Sequence, residues 1–262
     1  MSRPLSTAQH KFYVRLRREK KVRDSERLFL AEGERAVMEL FAAAPASLVA
    51  LVKTAQATPL SIPSERVFIA SEKQFAALSD TEHSQGVIGI FEQPVVSRDI
   101  FSRLKAKSSS IVLVLDDLQD PGNLGTIIRT AAWFEVDVVL ASRNTVDFFN
   151  PKVVRATAGS LFALALYRSS SLCEDLVHLQ EVGFTLYGAS LSGQDFHTTP
   201  FASKTALVIG NEAHGISENV RHTLHAEIRI RGNAKHVESL NAAVSAGILL
   251  SHIYLANSKQ NA

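Results

Sequence analysis

The chain has 262 residues, 46% of them apolar and 21% charged, enough for one large or two modest folded cores, and wholesale disorder is excluded. Its net charge of +2 names no partner by itself. The single cysteine, Cys173, excludes an internal disulfide framework and argues against a thiolate metal site, and no apolar run reaches the ~18 residues of a membrane span. The first residues lack the apolar centre of a secretory signal, so a cytoplasmic protein is expected.

In chain order, residues 1–10 read as a loose tail and residues 11–27 as a basic helix. There Arg15, Arg17, Arg18, Lys21 and Arg23, with Lys11, Lys20 and Arg27, outweigh Glu19, Asp24 and Glu26, and Phe12 and Tyr13 lie among them. Such a patch is the footprint of a phosphate-binding surface, although a solvated helix face has the same composition. Residues 28–33 read as a strand and turn, 34–44 as a helix with apolar residues at helical spacing, and 48–52 as a strand. A strand at 67–69, a short helix at 72–78 and a strand at 86–91 complete an alternating α/β pattern. The stretch from about residue 92, with Pro94 and a serine run at 108–110, reads as a linker with a short helix near 99–105. The expected domains are therefore 1–105, including that linker, and 106–262.

The second domain opens on residues 111–115, an apolar run without alternation, as a strand covered on both faces requires. A helix follows with Leu124, Ile127, Ile128, Ala131 and Phe134 on one side, then a strand at 136–141. Asn150-Pro151 opens another helix. Residues 161–166 fit a strand or a helix end; 172–181 read as helix, 184–189, 205–210 and 226–230 as strands, and 240–254 as a helix with small residues suited to close packing. Repeated strand–helix alternation predicts a parallel sheet with helices on both faces.

Three polar loops leave strands of that sheet. The first, residues 116–125, contains Asp120-Pro121-Gly122-Asn123, and Arg129 follows inside an otherwise apolar helix. Asn123 suits a helix N-cap; a charged residue on a helix between buried strands needs a partner or a ligand. The second, residues 208–215, sets Glu212 between Gly210 and Gly215, where glycines permit a tight turn or close approach of a ligand to the backbone. The third, residues 232–241, places Ser239 and Asn241 at a helix start, where backbone N–H groups are free. In open α/β sheets such strand-exit crevices bind ligands. The glycine spacing is not that of a dinucleotide fold, and no acid follows the next strand, which disfavours a nicotinamide-dependent oxidoreductase. The nine histidines have no ligand spacing and no serine sits in a nucleophile elbow, so neither a metal site nor a serine hydrolase is expected.

Together the loops resemble the three motifs of the SpoU (TrmH-type) RNA ribose 2′-O-methyltransferases, in the SPOUT superfamily. The first runs from Asp116 or Asp117 to Ala131, the second from Val208 to Gly215, the third from Glu238 to Asn241. Residues 150–159, the N-terminal stretch with Arg23 and residues 29–33, and Gln85-Gly86-Val87 are also similar to that family, so the resemblance spans nearly the whole chain.

The resemblance implies an α/β fold: a C-terminal SPOUT domain with a parallel sheet and a deep trefoil knot, after a small α/β RNA-binding domain similar to a ribosomal-protein fold. It implies S-adenosyl-L-methionine, with Gly210, Ile230, Leu240, Gly215 and Ala189 at cofactor-binding positions, and a homodimer with its site near the interface. It implies transfer of a methyl group to a ribose 2′-hydroxyl, with Arg129 as the leading catalytic residue and Asn123, Glu212, Ser239 and Asn241 around it. Arg129 is either the base or, since a guanidinium is always protonated, a group that binds the neighbouring phosphate and stabilises developing alkoxide charge. In the third motif Arg231 stands where the family has proline, which adds Arg231, Lys235 and His236 near the site. A separate RNA-binding domain favours 23S ribosomal RNA over transfer RNA as substrate. A transfer-RNA methyltransferase and a non-catalytic ribosome-assembly factor are the alternatives.

Overall fold

The computed structural model describes residues 3–81, 83–233 and 235–260. Two compact units emerge, residues 1–94 with 147–163, and residues 95–146 with 164–262.

The first unit starts with β1 (Arg3–Pro4), α1 (Thr7–Arg18) and α2 (Lys20–Glu26). The segment expected as a tail is thus structured. Leu5 N–H donates to Ile69 O, and Ser6 and Gln9 form a reciprocal capping box that starts the helix at Thr7. The expected single basic helix is broken at Glu19, whose backbone is extended. Then follow β2 (Leu28–Glu32), α3 (Glu34–Ala43), β3 (Leu48–Lys53), β4 (Val67–Ile69), α4 (Glu72–Leu78) and β5 (Val87–Glu92). The sheet order is β1-β4-β3-β5-β2, mixed in direction: β3 runs parallel to β4 and antiparallel to β5. Leu16, Leu30, Val52, Phe75, Ile88 and Ile90 belong to the core on one face.

The second unit contains α5 (Ile100–Ala106), β6 (Ser110–Leu115), α6 (Pro121–Trp133) and β7 (Val138–Ala141). After α7 (Pro151–Ala156) come β8 (Ala165–Arg168), α8 (Leu172–Glu181), β9 (Thr185–Asp195), β10 (Lys204–Ile209), α9 (Glu218–Arg221), β11 (Ala226–Arg229) and α10 (Ala242–Gln260). Six parallel strands lie in the order β11-β9-β10-β6-β7-β8. Every residue of β6 is buried, which explains its unbroken apolar run. Ile100, Phe101 and Leu104 of α5, Leu176 and Leu179 of α8 and Val220 of α9 share one cluster with alternate sheet residues. α6 and α10 pack against each other elsewhere in the unit. Because all strands point one way, the loops after β6, β7, β10 and β11 leave the same edge of the sheet.

The segment 147–163, which carries α7, groups with the first unit. α7 packs on β2, and Phe29 of β2 has its ring 5.2 Å from Phe149 and 5.9 Å from Phe162. Arg23 grips the Asp147 carboxylate through Nε at 2.9 Å and Nη2 at 2.8 Å, and donates Nη1 to Leu16 O and Arg17 O. At 3% exposure Arg23 is an internal clamp, not the surface RNA contact the sequence suggested. Burial without such a partner would strand a charge, at a cost of about 3–5 kcal/mol.

Candidate active site

The three polar loops meet in one hydrogen-bond chain. Glu212, after β10, accepts from the backbone N–H of Gln119 at 3.2 Å and of Asp120 at 3.1 Å, and from Asn123 Nδ2 at 3.0 Å. Asn123 Oδ1 in turn accepts from Asn241 Nδ2 at 2.8 Å. Asn241 Oδ1 accepts from Ala243 N–H at 2.8 Å, at the start of α10. Glu212, Asn123 and Asn241 therefore join residues 89 and 118 positions apart. Partial burial pushes the Glu212 carboxyl up, but hydrogen bonds from Asn123 and the backbone of Gln119 and Asp120 hold it below the ordinary carboxylate value. Its place beside the N-terminus of α6 favours the same anionic form.

Asn123 is not the N-cap that the sequence suggested. Asp120 takes that position, its Oδ1 accepting Asn123 N–H at 2.7 Å, and Pro121 follows at the first helical position. The Asn123 side chain is thereby released to bridge Glu212 and Asn241.

A second network fixes the loop after β6. Asp116 is buried and accepts Ser217 N–H at 2.7 Å, while its own N–H donates to Ile209 O. Asp117 is held in the left-handed region at φ 57°. Its carboxylate meets Ser142 Oγ and Asn144 Nδ2, and its carbonyl accepts from Asn211 Nδ2 at 2.8 Å and Gln119 Nε2 at 3.2 Å. Non-glycine residues in that region are costly and persist where surroundings over-determine them. Arg168 adds donors to the carbonyls of Ser142, Thr145 and Val146, tying down the loop after β7. The sequence reading missed Gln119, Ser142, Asn144, Asn211 and Arg168. Their signal was position alone: polar residues just beyond apolar strands.

The expected cofactor positions are Gly210 and Gly215 after β10, Ala189 within β9, Ile230 after β11 and Leu240 just before α10. Gly210 is required by the fold itself: a Cβ there would lie 2.2 Å from the Gly215 carbonyl carbon and 2.3 Å from Ile216 N. Its lack of side chain lets two backbone segments touch, and Asn211 and Gly215 exchange two hydrogen bonds at 2.9 Å. The sequence had offered ligand approach or a tight turn as the reason; the turn accounts for it. Gly215 differs, since at φ 70° a Cβ would meet nothing within 4 Å, and the same open space faces Gly232. Ala189 begins the stretch where β9 leaves its pairing: Gly188 is opposite Glu227, and the next pair is Gln194 with Ile228. Ile230 is the first residue beyond β11, and Leu240 is exposed beside Asn241. Arg231 is tied to Asp195 at the end of β9 through a 3.2 Å ion pair. Open space at Gly215 and at Gly232 leaves main-chain groups of both loops accessible to a small ligand.

Arg129 stands apart from the hydrogen-bond chain. It is exposed, and among the described residues it makes no hydrogen bond or ion pair. It shares one stripe of α6 with Gly122, Thr126 and Trp133, all exposed, so the charge on that helix faces solvent. Ser239 is likewise exposed, without a bond to the chain of Glu212, Asn123 and Asn241. In the first unit Arg15, Arg18 and Lys21 are exposed; Arg15 pairs with Glu19 at 3.3 Å, and Arg17 is half-buried, donating to Ser79 O and facing Asp80 at 3.6 Å. Among the described residues no cluster of His, Cys, Asp and Glu could hold a metal ion, and no helix is long and apolar enough to cross a membrane.

Residues 110–251 match the SpoU rRNA Methylase family, and residues 10–89 match the MRM3-like substrate binding domain. The chain is 32% identical to the 23S rRNA (guanosine(2553)-2′-O)-methyltransferase RlmP of Bacillus subtilis, over 89% of this chain and 91% of that protein. Its structure is similar to that of a putative RNA methyltransferase of the TrmH family from Porphyromonas gingivalis, with TM-score 0.80, 32% identity, and coverage of 95% of this chain and 98% of that one. It is also similar to an AdoMet-bound rRNA methyltransferase from Sinorhizobium meliloti, with TM-score 0.80, 28% identity, and coverage of 98% and 97%. A family match over more than half the chain, on a six-stranded parallel sheet whose three motif loops are bonded to one another, places this chain in the SpoU rRNA methylase family.

Proposed function

We propose that the chain transfers a methyl group from S-adenosylmethionine to a ribose 2′-hydroxyl of RNA, with 23S ribosomal RNA the substrate class. The observation that carries this reading is the chain Glu212–Asn123–Asn241, which bonds all three motif loops to one another. The similarity to a Bacillus subtilis enzyme named for 2′-O-methylation of 23S rRNA supports the substrate class. So does the match of residues 10–89 to a substrate binding domain. The trefoil knot and the cytoplasmic location implied by the resemblance belong to the same reading, as does the division into an RNA-binding and a methyltransferase domain.

In this reading Gly215, Ala189, Ile230 and Leu240 hold the methyl donor through backbone and apolar contacts, with Gly210 shaping the turn beneath. The donor supplies an electrophilic methyl carbon on a sulfonium. The 2′-oxygen forms its bond to that carbon as the carbon–sulfur bond breaks, and the hydroxyl proton leaves to solvent. Alignment of the attacking oxygen is then a large part of the rate. Arg129 binds the adjacent phosphate and stabilises the oxygen as negative charge grows on it; a guanidinium cannot accept the proton. Glu212 and Asn123 fix the start of the helix that carries Arg129, Asn241 fixes the start of α10, and Ser239, exposed just before it, faces the substrate.

The active species is a homodimer, with the site beside the interface. α10 is apolar on nearly all sides, and such a helix belongs in an interior. Its inner face buries Ala246, Leu249, Leu250 and Ile253, while Val244 and Leu255 are exposed.

The test is transfer of labelled methyl to a 23S rRNA transcript, with the product mapped as alkali-resistant linkages. Arg129→Ala should lower transfer by about 10²-fold or more, as removal of one charge-stabilising donor does. Because Arg129 has no partner among the described residues, folding and donor affinity by calorimetry should stay as in the parent. Full activity in that variant would remove Arg129 from the site.

A further inference from the structure

The first unit contains a cavity of about 480 Å³, within the size range of small-ligand sites. It opens beside the carboxyl end of β3, between α4 and the loop that leads into β5. Thr54, Gln56, Glu72, Phe75, Ser84 and Gln85 line it. The floor is built to close tolerance. Gly86 adopts φ 73°, and a Cβ there would stand 2.6 Å from Thr54 Oγ1 and 3.2 Å from Ala57 Cβ. Thr54 N–H donates to Gly86 O at 3.0 Å, which closes the floor. The rim is organised by Glu32, whose carboxylate accepts from Asp80 N–H at 2.9 Å and Thr81 Oγ1 at 2.7 Å, and from Ser79 Oγ. Gln85 Oε1 accepts Glu34 N–H at 2.9 Å, and among the described residues its amide nitrogen has no bond in the protein.

We propose that this cavity receives one unstacked nucleobase of the RNA strand, a conclusion that rests on the reading of the first unit as RNA-binding. Among the described residues its lining includes no Lys or Arg and one carboxylate, Glu72, so it disfavours a phosphate. What it offers instead is a mixture of donors and acceptors: the amides of Gln56 and Gln85, the hydroxyls of Thr54 and Ser84, and the acceptor-only carboxylate of Glu72. Phe75 and Ala76 add an apolar wall. That set of donors and acceptors suits the hydrogen-bonding edge of a base, and sequence-specific RNA recognition works on bases splayed out of the stack. The basic surface of α1 and α2 would hold the backbone while the cavity reads a base, the division of labour between affinity and specificity seen across nucleic-acid binding.

The experiment uses the full chain and five labelled RNA decamers: poly-A, poly-C, poly-G, poly-U and an abasic ribose-phosphate decamer. Affinity is followed by fluorescence anisotropy across a salt series. Gln56→Ala removes one amide, and Ala76→Trp fills the mouth from an exposed helix position without touching the core. The parent should bind at least one homopolymer more tightly than the abasic decamer. Both variants should weaken that homopolymer by roughly 5–10-fold, with the salt slope and melting temperature unchanged, since a base contact releases no counterions. Reversing Arg18 and Lys21 should instead lower the slope for all five decamers alike. Equal affinity of parent and both variants for every homopolymer would overturn the cavity assignment while leaving RNA binding intact. Binding of no decamer by the parent would overturn the RNA-binding reading itself, and the cavity with it. Saturable binding of free nucleosides at the cavity, without any effect of the variants on RNA, would make it a metabolite site instead.

Discussion

Glu212 ties two loops of the site together through one side chain. Three donors point at its two oxygens, from Gln119, Asp120 and Asn123. Glu212→Gln keeps the shape but presents an N–H₂ group to one of those donors. The helix start should loosen, and a shift of about 1 Å in positioned groups costs about 10²-fold in rate. Transfer should therefore fall by about 10–100-fold, with donor affinity reduced as well, because the same loop carries Gly215. Kinetics over a range of donor and RNA concentrations separate the two effects; unchanged kcat would exclude the positioning role. The pH dependence has a defined sign. The folded carboxyl titrates below its ordinary value, so its support is complete at neutral pH and is lost as pH falls through the folded value. Glu212→Gln should lose that acid limb and no alkaline one.

At the scale of elements, much was legible and the failures have specific causes. The non-alternating run of β6 stood out because the strand is buried on both faces, and the helical spacing of α6 and α8 because each buries one face. The capping box at Ser6 was readable in principle, but Pro4 and the short first strand hid it in what looked like a tail. The break at Glu19 was not readable, since no proline or glycine marks it. Arg23 looked like its basic neighbours; its burial depends on Asp147, 124 residues away, and no local pattern reports such a pair. The same distance hid the grouping of residues 147–163 with the first unit. For the site, Asn123, Glu212 and Asn241 were legible as loop polar residues, but the bonds among them were not. The structure also narrows the basic surface. With Arg23 internal and Arg17 occupied by Ser79 O and Asp80, the exposed Arg15, Arg18 and Lys21 remain. Reversing Arg18 and Lys21 should flatten the salt dependence of RNA binding by about 0.7–0.9 per lost phosphate contact. A filter-binding slope equal to the parent's would remove α1 and α2 from the RNA surface.

For the whole molecule, the decisive question is what covers the apolar surface around α6 and α10. Phe134, just past α6, lies with its ring 5.9 Å from Tyr254 of α10. The residues beside that pair, Trp133 and Leu255, are 81% and 57% exposed. Leaving a tryptophan bare at the end of a helix wastes its large apolar area, and contiguous patches of this kind mark association surfaces. In the proposed homodimer the occupant is a second copy of the same surface, because a two-fold interface is self-complementary and helix-on-helix packing needs only the matching stripe. Such an interface needs about 1,200–2,000 Å² of total buried area to be stable in solution. The stripe that ends in Trp133 also carries Arg129, so closing it would bring that arginine beside the partner's surface and dry the site. Light scattering on the parent should then give twice the chain mass of 28.6 kDa at micromolar concentration. Trp133→Glu and Leu255→Glu, each on an exposed position, should yield folded monomers with the parent's circular dichroism and with transfer reduced by an order of magnitude or more. A monomeric parent would overturn the dimer. Monomeric variants that retain full transfer would keep the interface but detach it from catalysis.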